Sequence, residues 1–397
     1  MNKTIIIVSI LLVLFDIFIY RSVVSKSKSK LLRVTFCFQA GLVYFIPIIF
    51  IFFRELMMVR EAWMSTVAWF IFFLVTAFSV KLVISTFLAM RWVARKINPK
   101  RKFQGFVIVG YTLGFSVLSF MMWGNIFGRT QLRVEHITIT SDKLPESFDG
   151  FKIAHFSDTH LGNYGTWHKL LIKLVEQINE QKPDIVVQTG DLVNIQAREL
   201  TDELMTLLGG IEAPVYSVLG NHDLGYYISD IDYITPEESL KLLLEKQAQM
   251  GWTLLDNQRE WIHRSGDSIL IGGTTFPSDN FHNGRKLNIG ESNLPKVMNG
   301  VSDSVYSIVL SHTPVLFDSV YTNDVTMPEL MLSGHTHAMQ TKIGDWSPAE
   351  MIYDKYSGLY ENEQGRKLYI NDGLGYVVMP FRFGTNPELT IITLKYE

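Results

Sequence analysis

Four long apolar runs fill the first third of the chain, at about 4–20, 31–53, 63–89 and 106–127. Each approaches or exceeds the roughly 20 residues that carry a helix across a bilayer. Buried helices of a soluble core seldom come four in succession, so the pattern predicts four transmembrane helices within residues 1–129. No small-residue cleavage site follows the first run, which therefore reads as a retained span and not as a signal peptide.

From residue 133 the pattern changes. Residues 134–140 alternate apolar and polar, as a strand does. Short apolar runs follow at 152–156, 185–188, 215–219, 269–272, 306–310 and 330–332, with later ones at 367–370 and 389–394. Helical periodicity falls between them, at 167–181, 198–208, 236–250 and after Pro314. Strands alternating with helices predict a layered α/β sandwich. The expected organisation is a four-helix membrane region (1–129), a linker with a first strand (130–150) and a catalytic α/β domain (151–397).

Charge divides the chain at the same place. Residues 1–129 hold sixteen Lys and Arg against three acids (Asp16, Glu55, Glu61), a net of +13. The remainder holds twenty basic and thirty-six acidic side chains, a net of −16. An acidic domain is poorly suited to neutralising a phosphate backbone, so no nucleic-acid partner is expected. Arg21, Lys26, Lys28, Lys30 and Arg33 crowd the first connection, and Arg91, Arg95, Lys96, Lys100, Arg101 and Lys102 the third. Basic connections stay in the cytoplasm, which predicts an extracytoplasmic catalytic domain on a bacterial inner membrane. Asp16 and Lys81 lie inside apolar runs; the expectation is an interfacial Asp16 and a snorkelling Lys81, with a pair across helices as the alternative. The single cysteine, Cys37, excludes an intrachain disulfide.

The candidate chemistry sits directly after five predicted strands: Asp158 and His160, Gly190-Asp191, Gly220-Asn221-His222-Asp223, His312, and Gly334-His335-Thr336-His337. Loops at the carboxyl ends of strands in an open α/β sheet converge on one place. Carboxylates, imidazoles and an amide oxygen together favour Mn, Fe, Zn or Co over an all-oxygen Ca or Mg site. The remaining histidines read as structural: His155 in the core or behind the site, and His136, His168, His263 and His282 on the surface. Tyr226 and Tyr227, just beyond His222, suit either a lid over a leaving group or a packed loop.

In order and spacing this set resembles the signature of the calcineurin-like metallophosphoesterases, over residues 150–397. The segments Asn371-Asp-Gly-Leu-Gly and Pro380-Phe-Arg-Phe-Gly-Thr-Asn-Pro-Glu resemble the branch of YkuE- and YaeI-like bacterial phosphodiesterases, which includes transmembrane proteins with a metallophosphoesterase domain. The resemblance implies two divalent metals, the first held by Asp158, His160 and His337, the second by Asn221, His312 and His335, with Asp191 bridging. It implies that His222 sits over the phosphate as a catalytic group, its ring oriented by Asp223. Two adjacent cations can clamp the attacking and leaving oxygens of an in-line displacement, and a carboxylate between them offsets their repulsion.

The implied activity is hydrolysis of a phosphodiester or pyrophosphate bond, in a membrane-associated or lipid-linked substrate that would explain the helices. A UDP-2,3-diacylglucosamine pyrophosphatase of lipid A synthesis is one alternative. A non-catalytic metal-binding receptor or scaffold is another, and His222, which such a protein would not need, argues against it.

Overall fold

A computed structural model of the chain describes residues 2–52, 63–164, 168–228, 234–276, 294–319 and 327–397. It forms two compact units: Met1–Ile126 with Val378–Phe381, and Phe127–Val377 with Arg382–Glu397.

The first unit contains helices α1 (Asn2–Ser22), α2 (Lys30–Phe52), α3 (Trp63–Ile97) and α4 (Gln104–Trp123). Three segments of the described residues are long and apolar enough to cross a bilayer: Ile6–Lys26, Ser65–Ile97 and Gln104–Gly128. Among the described residues the candidates therefore number three, where four were predicted. The second run also folds as a helix, α2, whose side chains beyond Tyr44 lie outside the described residues. The second connection, with Arg54 and Arg60, lies outside the described residues. Large apolar side chains such as Ile7, Ile108 and Phe115 point outward, as they do where the solvent is hydrocarbon. Helices α3 and α4 approach closely because Gly110 and Gly114 face Phe87 and Ile84; a Cβ on either glycine would fall within 2.9 Å of those side chains.

Asp16 and Lys81 are also a correction. Lys81 Nζ lies 2.7 Å from Asp16 Oδ2, with both side chains 7% exposed, so the two pair across α1 and α3. Tyr44 of α2 donates its hydroxyl to the same carboxylate. Once desolvated, each charge is cheaper beside its partner than reaching separately for water.

The second unit is a four-layered α/β sandwich. One six-stranded sheet runs in the order β1 (Arg133–Ser141), β12 (Glu388–Tyr396), β2 (Lys152–Phe156), β3 (Ile185–Thr189), β4 (Val215–Val218), β5 (Thr253–Leu254). The other runs β10 (Gly358–Glu361), β11 (Lys367–Ile370), β9 (Leu330–Ser333), β8 (Ser307–Leu310), β7 (Asp267–Gly273), β6 (Gln258–Arg264). Strands β2 to β5 are mutually parallel, as are β7, β8, β9 and β11.

The two faces of each strand bury into different cores. Ile153, Ile185 and Val187 join Ile271, Ile308 and Leu332 between the sheets. Ala154, Phe156 and Val186 face the other way, toward α5 (Lys169–Gln181), α6 (Asp202–Leu208) and α7 (Pro236–Gln249). A third core lies between the second sheet and the short helices α8 (Leu294–Met298) and α9 (Leu316–Ser319). Burial on both faces explains why these strands read as continuous apolar runs. Helix α7 starts at a capping box, Thr235 and Glu238 exchanging side-chain bonds with each other's backbone N–H, with Pro236 at the first helical position. The predicted start of α5 at 167 lies outside the described residues.

Candidate metal centre

The loops after β2, β3, β4, β8 and β9 bring Asp158, His160, Asp191, Asn221, His312, His335 and His337 together. Their backbones are held in unusual shapes: Asp158, His160, Asp191, His335 and His337 all have φ between 49° and 75°. Non-glycine residues enter this left-handed region at a cost, and such strain gathers where side chains must be aimed. Interlocking bonds sustain it. Asp158 N donates to Gly190 O (3.0 Å), His160 N to Asp191 O (3.1 Å) and His335 N to Asp158 Oδ2 (2.9 Å). Gly334 passes so close that a Cβ there would lie 2.0 Å from Ser157 Oγ and 2.2 Å from Asp158 Oδ2.

Two clusters of ligand atoms share Asp191. In the first, His337 Nε2 lies 3.1 Å from His160 Nε2 and 3.3 Å from Asp158 Oδ1, and His160 Nε2 is 3.7 Å from Asp191 Oδ2. In the second, His312 Nε2 lies 3.0 Å from His335 Nδ1, 3.1 Å from Asn221 Oδ1 and 3.2 Å from Asp191 Oδ2. Ligands bound about 2.0–2.2 Å from one ion stand roughly 3–3.5 Å apart, so both sets have the spacing that a shared cation imposes. Asp158 Oδ1 is fully buried and accepts no hydrogen bond. His312 donates from Nδ1 to Thr189 O (2.7 Å), which turns its Nε2 lone pair into the cluster. The donor set and its orphaned oxygen fit divalent ions.

Residues 151–339 match the family described as calcineurin-like phosphoesterase. The uncharacterized metallophosphoesterase YkuE of Bacillus subtilis is 32% identical over 66% of this chain and 84% of its own length. The chain belongs to the calcineurin-like metallophosphoesterases. Further relatives within this family are a Danio rerio transmembrane protein with metallophosphoesterase domain (28% identical; 66% of this chain, 57% of the relative) and the Chlamydia trachomatis UDP-2,3-diacylglucosamine pyrophosphatase LpxG (27% identical; 74% and 99%). The protein is accordingly a metal-dependent phosphoric ester hydrolase. Calcineurin-like phosphoesterases typically bind two divalent metals.

Electrostatics in this metallophosphoesterase follow from the crowding. Burial alone would raise Asp158 and Asp191, but the imidazoles of His337 and His312 outweigh it and hold both carboxyls below the usual range. Burial pushes His335 down to about 3, aided by His312, while Asp191 overcomes burial and carries His312 up to about 9. Burial also lowers His160, with His222 adding to the effect. Asp158, Asp191, His160 and His335 are thus held toward the proton-free form that a metal requires, whereas His312 is held toward its protonated form.

His222 stands at the edge of this calcineurin-like site. Its Nε2 is 4.0 Å from Asp191 Oδ2, and its side chain remains 15% exposed. Its Nδ1 donates to the backbone carbonyl of Asn194 at 2.5 Å. That carbonyl does the ring-orienting work expected of Asp223. The Asp223 carboxylate instead accepts from Val193 N (3.1 Å) and Gly220 N (3.0 Å), tying the loops after β3 and β4 together. Sequence reasoning assigns no role to a backbone carbonyl, because every residue carries one.

Arg382 is the larger omission. It is completely buried, and donates to the carbonyls of Gly375 (2.7 Å), Asp372 (3.0 Å) and Thr385 (2.8 Å) and to His337 Nδ1 (3.0 Å). It lies in the segment that resembles the YkuE branch, which was the one available signal. Tyr227 stacks on His222 with centroids 4.2 Å apart and receives a bond from Asn221 Nδ2 at 3.1 Å. His155 is buried behind the site, its Nε2 2.9 Å from Thr189 Oγ1. His136 and His263 are exposed, His168 lies 3.5 Å from Glu203, and His282 lies outside the described residues.

Proposed function

We propose that this protein is a membrane-anchored phosphoesterase that uses two metals to hydrolyse phosphodiester or pyrophosphate bonds of a membrane-associated or lipid-linked substrate. In this reading Asp158, His160 and His337 hold one ion, Asn221, His312 and His335 the other, and Asp191 both. The observation that carries it is the pair of ligand clusters meeting at Asp191 Oδ2, with His222 Nε2 facing the same oxygen. The ions, of the Mn, Fe, Zn or Co type, would supply Lewis-acid stabilisation of the charge that develops on phosphoryl oxygens. His222 holds its Nδ1 proton on Asn194 O, which leaves Nε2 as the atom that exchanges a proton with the leaving oxygen. Tyr227 covers the outer face of that ring and limits water there.

Orientation rests on a single connection. If the basic stretch Arg91–Lys102 stays in the cytoplasm, α4 carries the following chain outward, whatever the behaviour of α2. An extracytoplasmic substrate follows. The relationship to LpxG favours a second reading, a UDP-2,3-diacylglucosamine pyrophosphatase.

The test uses the full chain in detergent, loaded with Mn²⁺, with bis-p-nitrophenyl phosphate, p-nitrophenyl phosphate and UDP-2,3-diacylglucosamine in parallel. Metal-dependent diester cleavage that disappears in His222→Ala supports the proposal. Cleavage of UDP-2,3-diacylglucosamine alone supports the second reading. Metal-replete protein that hydrolyses none of the three counts against both.

A further inference from the structure

One end of the helical unit gathers cations that, among the described residues, have no carboxylate partner. No Asp or Glu occurs between Asp16 and Glu55, or between Glu61 and Glu135. Lys26, which follows α1, and Arg91, Arg95 and Lys96 of α3 line a cavity of about 330 Å³ together with Ser22 and Trp92. Their contacts are with carbonyls and a ring: Lys26 Nζ with Ser22 O (3.1 Å), Arg91 Nε with Lys102 O (3.2 Å), Lys96 Nζ over Trp92 (5.1 Å). Asp16, the one described acid of this unit, is engaged by Lys81.

The depth of this cavity follows from helix length. The 35 residues of α3 span about 52 Å, against a hydrocarbon core of about 30 Å. Its last turns therefore emerge from the acyl region, and Trp92, 59% exposed, marks the level where indole rings meet headgroups. A guanidinium fork matches a phosphate, and the volume suits a headgroup and not a whole lipid.

We infer that this cavity binds the phosphate of an anionic phospholipid headgroup. Two guanidinium groups and two ammonium groups converge on a space open beside the acyl layer, which is the chemistry of a basic pocket for acidic lipid. The inference rests on the membrane-anchored reading of α1, α3 and α4. It assigns the cationic end a specific occupant beyond setting orientation.

The experiment is native mass spectrometry of the full chain released from a neutral detergent and titrated with phosphatidylglycerol, phosphatidylcholine or inorganic phosphate. We expect one phosphatidylglycerol per chain, no retained phosphatidylcholine, and a loss of at least about tenfold in affinity for R91Q/R95Q/K96Q. Arg91→Lys with Arg95→Lys keeps the charge, and should retain the lipid with weaker binding; it serves if the first variant does not fold. A control variant, K100Q/R101Q/K102Q, removes equal charge outside the cavity and should bind normally. Equal loss in the control would show diffuse attraction and overturn the site. Equal retention of phosphatidylcholine, or displacement of lipid by millimolar phosphate, would overturn the lipid assignment. Extraction of the chain from membranes by alkaline carbonate without detergent would show that the anchoring reading itself has failed.

Discussion

Arg382 Nη2 lies 3.0 Å from His337 Nδ1, and a guanidinium can only donate. The same side chain ties down three carbonyls of the tail segment, so one buried fork fixes both the His337 ring and the loop behind it. Arg382→Lys keeps the charge but cannot reproduce four bonds. Each buried acceptor left unpaired costs about 1–3 kcal/mol. We expect a lower melting temperature and metal content falling from two ions toward one, measured by elemental analysis after gel filtration. Full metal content with unchanged melting would remove Arg382 from the positioning of His337.

His222→Ala should retain both metals and lose about 10²-fold or more in kcat. Asp223→Asn should behave differently, because one amide oxygen replaces a carboxylate that accepts from both Val193 and Gly220. Its cost should appear mainly as stability, about 1–2 kcal/mol, with a smaller loss of rate. Comparing the two variants by kcat and by thermal melting checks the division. If Asp223→Asn matched His222→Ala in rate at normal stability, Asp223 would act on the chemistry.

His155 predicts a pH effect on folding. Burial lowers it from 6.5 to about 4. As pH falls, the unfolded chain takes up the proton first, so the stability is intact above about 6.5 and is lost as pH descends toward 4. A difference of this size corresponds to about 3 kcal/mol. His155→Gln should flatten the denaturation midpoint over that window relative to the parent, with the two curves converging on shape above pH 7. Parallel curves throughout would mean that His155 charges at no cost.

In the helical unit, removing one member of the Asp16–Lys81 pair should be worse than removing both. Lys81→Met strands a buried carboxylate, an error of about 3–5 kcal/mol, whereas Asp16→Leu with Lys81→Met leaves an apolar contact. The amount of monodisperse protein recovered in detergent should rank the double variant above the single one.

The residues of the metal centre were legible because each follows an apolar strand that is buried on both faces. Ile153 and Val187 look inward between the sheets while Phe156 and Val186 look toward the helices, so the run ends abruptly at the first polar ligand. Strand β6 was not legible: at the sheet edge most of its residues, Gln258 to Arg264, are exposed, and no alternation of burial marks it. The partnership of Asp16 and Lys81 could not be read either, since two isolated charges 65 positions apart carry no signal of which helices will pack. Arg382 and Asn194 share that difficulty, because what they do depends on carbonyl positions that exist only after the loops have closed.

The place of β12 bears on when the first sheet can close. This strand lies between β1 and β2, pairing residue by residue from Arg133 opposite Glu388 and from His155 opposite Thr390. It is synthesised after every other described strand. Until it inserts, β1 has no partner in this sheet and the edge of β2, the strand that presents Asp158, is uncovered. The apolar helices ahead of it have by then been made. The parallel register of β1 is therefore settled by the last strand of the chain to be made, so this sheet closes only when synthesis is complete.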